Sequence, residues 1–305
     1  MLRTSLATGL AAGTLGSLLL PGFAAALSLA DYSVTGQYAL PAITAAEASA
    51  VTYNWDTGTL FVLGDEGDAL VEVATDGTPI SSMILTGFID TEALTYVGGG
   101  QFVLAEERLR DAYRLTYSPG GSVDSSALPT ADLGPTVGNI GVEGLSFDRR
   151  DGTFLQVKEV GPQEVNLVDI SFGTPGSATI TPLFDPAGLS VLDLSDVQVL
   201  SGVTSLVGTP GEDDLLIFSQ ASSRLLHVSR TGLLLGSLDF SGYSLEAEGV
   251  TIDPNGTIYI VAESRVNPSA ATSTLFVLTP VPEPGTALLL GLGLATLAAR
   301  REALR

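Results

Sequence analysis

Cysteine is absent from this 305-residue chain, and histidine, lysine and tryptophan each occur once, as His227, Lys158 and Trp55. No disulfide, thiolate nucleophile or Cys/His zinc site can form, and no metal site can draw on two imidazoles. Any metal must therefore be bound through oxygen. Positive charge is equally scarce: 13 Lys+Arg stand against 34 Asp+Glu, a formal net charge of -21. A chain this acidic has no basic surface for a phosphate backbone, which excludes nucleic acid as a partner. No glycine-rich segment carries the phosphate-loop pattern with its lysine. What is abundant is apolar residues at 45%, with 35 Gly and 16 Pro, a composition of short strands and turns.

The two ends read as addresses. Residues 1–26 place Arg3 before an apolar stretch from Leu6 to Leu20, a Pro21-Gly22 break and Ala24-Ala25-Ala26, the layout of a secretory signal cleaved after Ala26. Such a segment delivers the chain to the Sec translocon; a retained membrane anchor is the alternative. At the other end, Pro282-Glu283-Pro284 precedes an apolar run from Ala287 to Ala299 and then Arg300-Arg301. This order resembles the PEP-CTERM sorting signal. The resemblance implies that an exosortase removes residues 281–305 and directs the protein to the envelope or exterior. The run is short for a spanning helix, so membrane contact is expected only through this C-terminal helix, before processing. Arg3, Arg300, Arg301 and Arg305 all lie in these ends, so a processed chain, residues 27–280, is more acidic still.

The middle repeats. Glu47-Ala-Ser-Ala-Val-Thr-Tyr53, Glu92-Ala-Leu-Thr-Tyr96, Glu143-Gly-Leu-Ser-Phe147 and Glu248-Gly-Val-Thr-Ile252 each run from glutamate into a β-prone stretch. A turn rich in Asn, Asp and Gly follows, and then a second apolar strand ending in acid: Asp65-Glu66, Glu106-Glu107, Lys158-Glu159 and Glu263. A degraded copy begins near Leu194-Ser195-Asp196 and ends at Ser219-Gln220, without an acid. Starts at 47, 92, 143, 196 and 248 lie 45, 51, 53 and 52 residues apart, the size of a four-stranded propeller blade. The expected fold is all-β, a single β-propeller. Its direct count is five blades, or six if residues 160–195 hide another, and the unpaired strand from Tyr32 to Leu40 closes the ring. A β-helix is the structural alternative, but its coils are too short for this period.

In an antiparallel hairpin the start of the first strand and the end of the second lie at the same end of the ladder. The acids should therefore gather at one channel mouth: Glu47, Asp65, Glu66, Glu92, Glu106, Glu107, Glu143, Glu159, Asp196, Glu248 and Glu263. Two carboxylates about 6 Å apart repel by roughly 3 kcal/mol at an effective dielectric near 20, so such a ring invites a cation. Calcium, which takes six to eight oxygens, is the expected one. Acids that flank strands also cap turns or accept backbone N–H groups, and that reading stands beside the first. Arg108 and Lys158 are the cations placed for an anionic substrate, or else they pair with Glu107 and Glu159. His227 lies in a strand, and Trp55 in a turn, where it packs on the next blade or stacks on a sugar.

These segments, with Val103-Leu-Ala-Glu-Glu-Arg108 and Val157-Lys158-Glu159, resemble the SdiA-regulated family of bacterial envelope propellers over about residues 31–279, and more distantly esterase-like or phytase-like propellers. The resemblance implies an acidic, calcium-holding funnel and no particular reaction. Two functions fit: an exported binding module for a polysaccharide or cell-surface partner, or a calcium-dependent hydrolase acting on phosphoesters or esters.

Overall fold

The computed structural model describes residues 27–65, 68–136, 138–243, 245–264 and 273–281. The signal segment, Glu66 and the C-terminal apolar run lie outside them. Among the described residues no helix is long and apolar enough to cross a membrane.

Strand β1 (Tyr32–Ala39) precedes five units of strands. The first holds β2 (Ala48–Asn54), β3 (Thr59–Gly64), β4 (Ala69–Val73) and β5 (Pro79–Thr86). The second holds β6 (Thr91–Gly98), β7 (Gln101–Glu106) and β8 (Asp111–Thr116), followed by the short β9 (Ser122–Asp124) and β10 (Thr130–Asp132). The third holds β11 (Val142–Asp148), β12 (Thr153–Lys158), β13 (Glu164–Ser171) and β14 (Ser177–Phe184). The fourth holds β15 (Asp196–Val199), β16 (Leu215–Ser219), β17 (Arg224–Val228) and β18 (Leu234–Asp239). The fifth holds β19 (Leu245–Ile252), β20 (Ile258–Ser264) and β21 (Thr274–Pro280). Its outer place is filled by β1, paired with β21 from Tyr32↔Pro280 to Ala39↔Thr274. The N-terminal strand thus closes the ring, as its unpaired apolar pattern predicts. Residues 160–195 supply only the outer strands of the third unit.

Pairing within each unit is antiparallel, and two edge contacts cross between units. β9 adds to β5 in parallel, and β10 meets β14 at Asp132↔Ser177, which fuses the second and third units into one eight-stranded sheet. The first strands of the units pack in a closed order, β2 on β6, β6 on β11, β11 on β15, β15 on β19 and β19 on β2. Inner strands are covered on both faces and read as unbroken apolar runs, whereas the outer β1, β14 and β18 alternate between half-buried and exposed.

Among the described residues there is no single core. Five apolar clusters each sit between successive units: Phe61 with Phe102 (ring centroids 4.4 Å apart) between the first and second, and Phe240 with Phe276 (5.5 Å) between the fourth and fifth. A ring of side-chain latches runs inside these clusters. Thr52 Oγ1 accepts from Tyr96 N (3.1 Å), Thr95 Oγ1 from Phe147 N (3.0 Å) and Ser146 Oγ from Val199 N (3.0 Å). Gln198 Oε1 accepts from Thr251 Oγ1 (3.0 Å), and that hydroxyl accepts from Tyr53 N (3.1 Å), which closes the circle. These residues fix the register of every first strand against the next and define equivalent positions around the ring.

Candidate functional site

Counting back three residues from the latch gives the position at which each first strand enters its ladder. The ladder slips by one residue there in four units, which places Ser49, Glu92, Glu143 and Glu248 on β-bulges. In the fourth unit the same place falls to Ser195, just before β15. A bulge re-aims its side chain away from the sheet, here toward the channel axis. The following residue must then be small. A Cβ on Gly144 would lie 2.7 Å from Asp196 Cα, and one on Gly249 would lie 2.9 Å from Ala50 Cα, so the Glu-Gly pairs allow neighbouring strands to close up.

A second tier is formed at the ends of the partner strands, by Asp65, Glu107, Glu159 and Gln220 one residue beyond them and by Glu263 at the penultimate position of β20. The two tiers meet at one mouth. The field of Glu248 reaches Glu92 from two units away around the ring, and that of Glu159 reaches Glu248 across the same interval, as expected of groups facing one axis. Carboxylate oxygens of Glu107, Glu143 and Glu159 lie within 4.8 Å of one another. Burial, hydrogen bonding to Glu107 and the charges of Glu92, Glu107 and Glu159 push the Glu143 carboxyl up to about 11. Glu92 and Glu248 are held well above the carboxylate range, first by burial and then by neighbouring acids. On the far side of the mouth burial and Glu246 raise Glu263 to about 7. Without a cation, the fold keeps protons here that an exposed carboxyl would release.

The fourth unit interrupts the charge. Gln220 stands where the other units place an acid, and its Nε2 donates to Glu248 Oε1 (2.6 Å). Ser49 in the first unit turns its hydroxyl to Thr91 O (3.1 Å). Glu47, expected at the ring position now seen to belong to Ser49, sits two residues earlier with a positive φ of 49° and acts on the mouth through Glu263.

Four other expectations are corrected. Successive residues on a strand face opposite ways, so Glu106 and Lys158, one position before the acidic tier, point away from the channel. Glu106 is fully buried, accepting from Ile89 N (2.5 Å) and Tyr113 Oη (2.8 Å). Lys158 gives its ammonium to the carbonyls of Val160 and Pro162 (2.9 Å for the latter) and acts on Glu159 through its charge alone. Asp196 ties the fourth and fifth units by accepting from Val197 N and Val250 N, both at 2.7 Å. Arg108 is half-exposed at the rim and faces Asp90 rather than Glu107. Its single Nε–H is directed at Asn139 Oδ1 (2.9 Å), so Asp90 Oδ2, though 2.8 Å from Nε, has no aligned donor.

Asp90 itself escaped the sequence pattern. It precedes the glutamate by two residues in the left-handed region (φ 68°), and burial with Glu107 beside it raises its carboxyl to about 6. His227 is packed, its Nε2 3.0 Å from Asp214 Oδ2, and burial lowers its pKa. Trp55 sets its edge against Tyr96 of the next unit at 4.5 Å.

A ring of antiparallel units around a carboxylate-lined channel defines a β-propeller with an acidic mouth. Residues 24–267 match the model of the SdiA-regulated family, and the chain belongs to that family. Residues 280–302 match the PEP-CTERM protein-sorting motif, which marks an exported protein sorted to the cell envelope and processed by an exosortase. Among solved structures the chain is similar to a luciferin-regenerating enzyme (14% identity, 83% of this chain and 94% of that one, TM-score 0.47). It is also similar to the WD40 propeller domain of Doa1 (11%, 81% and 97%, TM-score 0.46) and to virginiamycin B lyase from Staphylococcus aureus (14%, 79% and 69%, TM-score 0.40).

Proposed function

We propose that this protein is an exported five-bladed propeller that takes a calcium ion in its acidic mouth and acts there as a binding module rather than a catalyst. The observation that carries the reading is the Glu107, Glu143 and Glu159 cluster. Oxygens within 4.8 Å of one another match ligands on opposite sides of one ion at the 2.3–2.6 Å typical of calcium. Glu92 lies next to this cluster electrostatically, and Gln220 adds a neutral amide to the second tier. Glu143 stands on a bulge of the third unit, with Glu159 just beyond the partner strand of that unit and Glu107 just beyond that of the second, so an ion would also tie these two units together. A second reading, a hydrolase working through the same ion, has Arg108 in its favour as a rim cation for an anionic substrate.

Calorimetric titration of the purified protein with calcium should give a dissociation constant in the range of extracellular modules, about 10⁻⁴ to 10⁻³ M. Glu143→Gln should weaken it about tenfold or more while making the ion-free protein more heat-stable at neutral pH, because folding no longer requires a buried carboxyl to take up a proton that the unfolded chain has released. Unchanged affinity in Glu143→Gln would sink the assignment. Turnover of a phosphoester or carboxylester that is lost in Glu107→Gln would favour the hydrolase.

A further inference from the structure

The opposite mouth, where the hairpin turns converge, has a different chemistry. Six residues along a strand at about 3.3 Å each put it roughly 20 Å from the acidic tier. A half-open pocket with about 460 Å³ of empty space, counting its opening, lies there. Tyr53 and Trp55 from the first unit, Phe147 and Arg149 from the third, and Gln198 and Ser201 from the fourth are among its walls.

Two observations point to a ligand. Ser201 is 4% exposed and lines the pocket, yet its Oγ is buried without a hydrogen-bond partner. A hydroxyl left in that state costs free energy until something completes it. Arg149 is exposed, with its guanidinium carbon 5.5 Å from the Trp55 ring centroid, so a cation is held over an aromatic face at the pocket edge of a chain with net charge -21.

The set is specific in its chemistry. Aromatic walls offer flat apolar faces suited to the C–H side of a sugar ring, while Ser201 offers a hydrogen bond to a ring hydroxyl. One guanidinium matches one carboxylate in a bidentate pair, and the surrounding negative field disfavours a multiply charged phosphate. We propose that the turn-side mouth binds an acidic saccharide, with Arg149 on the carboxylate, the aromatic walls on the ring face and Ser201 on a hydroxyl. This is independent of the cation reading, because the residues and the mouth are different.

Trp55 is the chain's only tryptophan, so its fluorescence reports on this pocket alone. Cellobiouronic acid, its neutral isostere cellobiose, and AMP would each be titrated into the full protein in chelator, by fluorescence and calorimetry. The expected result is a Trp55 signal and heat with cellobiouronic acid, and about tenfold weaker binding of cellobiose. Arg149→Ala should erase that preference and Ser201→Ala should weaken both sugars, while calcium binding stays at its wild-type level in each. No binding of cellobiouronic acid, equal binding of the two disaccharides, or preferred binding of AMP would overturn the proposal. Arg149 is exposed, so its variant keeps the fold; Ser201→Ala is checked against the wild-type melting temperature.

Discussion

In the presence of a chelator, the protein should lose heat stability steadily between pH 5 and pH 8. Glu92, Glu143, Glu159, Glu248, Glu263 and Asp90 all have folded-state values above those of exposed carboxyls, burial being the largest cause in each. The folded chain therefore binds protons that the unfolded chain has released. The stability these groups contribute is complete below about pH 4 and is lost as pH rises through the folded values, about 6 for Asp90 and about 7 for Glu263. Each such group contributes up to ~1.4 kcal/mol per pH unit, and solvent screening at the more exposed ones reduces that. A combined loss of a few kcal/mol corresponds to a fall in Tm of roughly 5–10 °C in a domain of this size. Calcium at one hundred times its dissociation constant should return about 2.7 kcal/mol at pH 8 and far less at pH 5, where protons occupy the same oxygens. A Tm that is flat or rising between pH 5 and 8 in chelator would contradict the assignment of these side chains to a common mouth.

Asp148→Ala should be the most damaging single change away from the channel. This carboxylate is fully buried at the end of β11. Its Oδ1 accepts from Arg150 N (3.2 Å) and Nε (3.0 Å), and its Oδ2 from Arg150 Nη2 (2.7 Å) and Arg230 Nη1 (3.0 Å). Arg230 belongs to the turn between β17 and β18, so the pair ties the third unit to the fourth. Burial opposes the charged form, but these donors outweigh it and hold the carboxyl at about 2. Removing one member of a buried pair strands its partners, at a cost of ~3 kcal/mol, reduced somewhat because both arginines are partly exposed. A drop in Tm of roughly 6–12 °C at pH 7 is expected. The sign with pH is opposite to that of the channel acids: a lowered pKa gives stability present above about pH 4 and lost as pH falls through about 2. Wild type and Asp148→Ala should therefore converge near pH 2. A difference that persists undiminished there would mean that lost packing, not charge, explains the defect.

The period and the gathering of acids at one mouth are legible in the sequence because each unit repeats both a hairpin turn and the residues around it. Asn54, Asp148 and Asp253, at the ends of first strands, accept backbone N–H groups of the turns that follow them, the physical basis of the Asn/Asp-rich signal. The latch is also visible afterwards, in the Thr or Ser of Val51-Thr52, Leu94-Thr95, Leu145-Ser146 and Val250-Thr251. What linear spacing cannot supply is which face a residue takes when a bulge adds one position. Aligning on glutamate alone puts Glu47 level with Glu92, whereas the ladder puts Ser49 there. The same one-residue ambiguity separates Glu107 from Glu106 and Glu159 from Lys158. Asp90 lies in a connection outside the repeat pattern, and the turn-side pocket is built from units far apart in sequence, so neither leaves a local signal.

Calcium titration by calorimetry at pH 7, repeated in two buffers of different ionisation enthalpy, measures the protons displaced when the ion binds. If Glu143 and its neighbours hold protons in the ion-free mouth and surrender them to calcium, the apparent heats should differ between buffers by on the order of one proton per ion, and Glu143→Gln should remove most of that difference. Calcium binding with identical heats in both buffers, or no binding at all, would contradict the account of the acidic mouth.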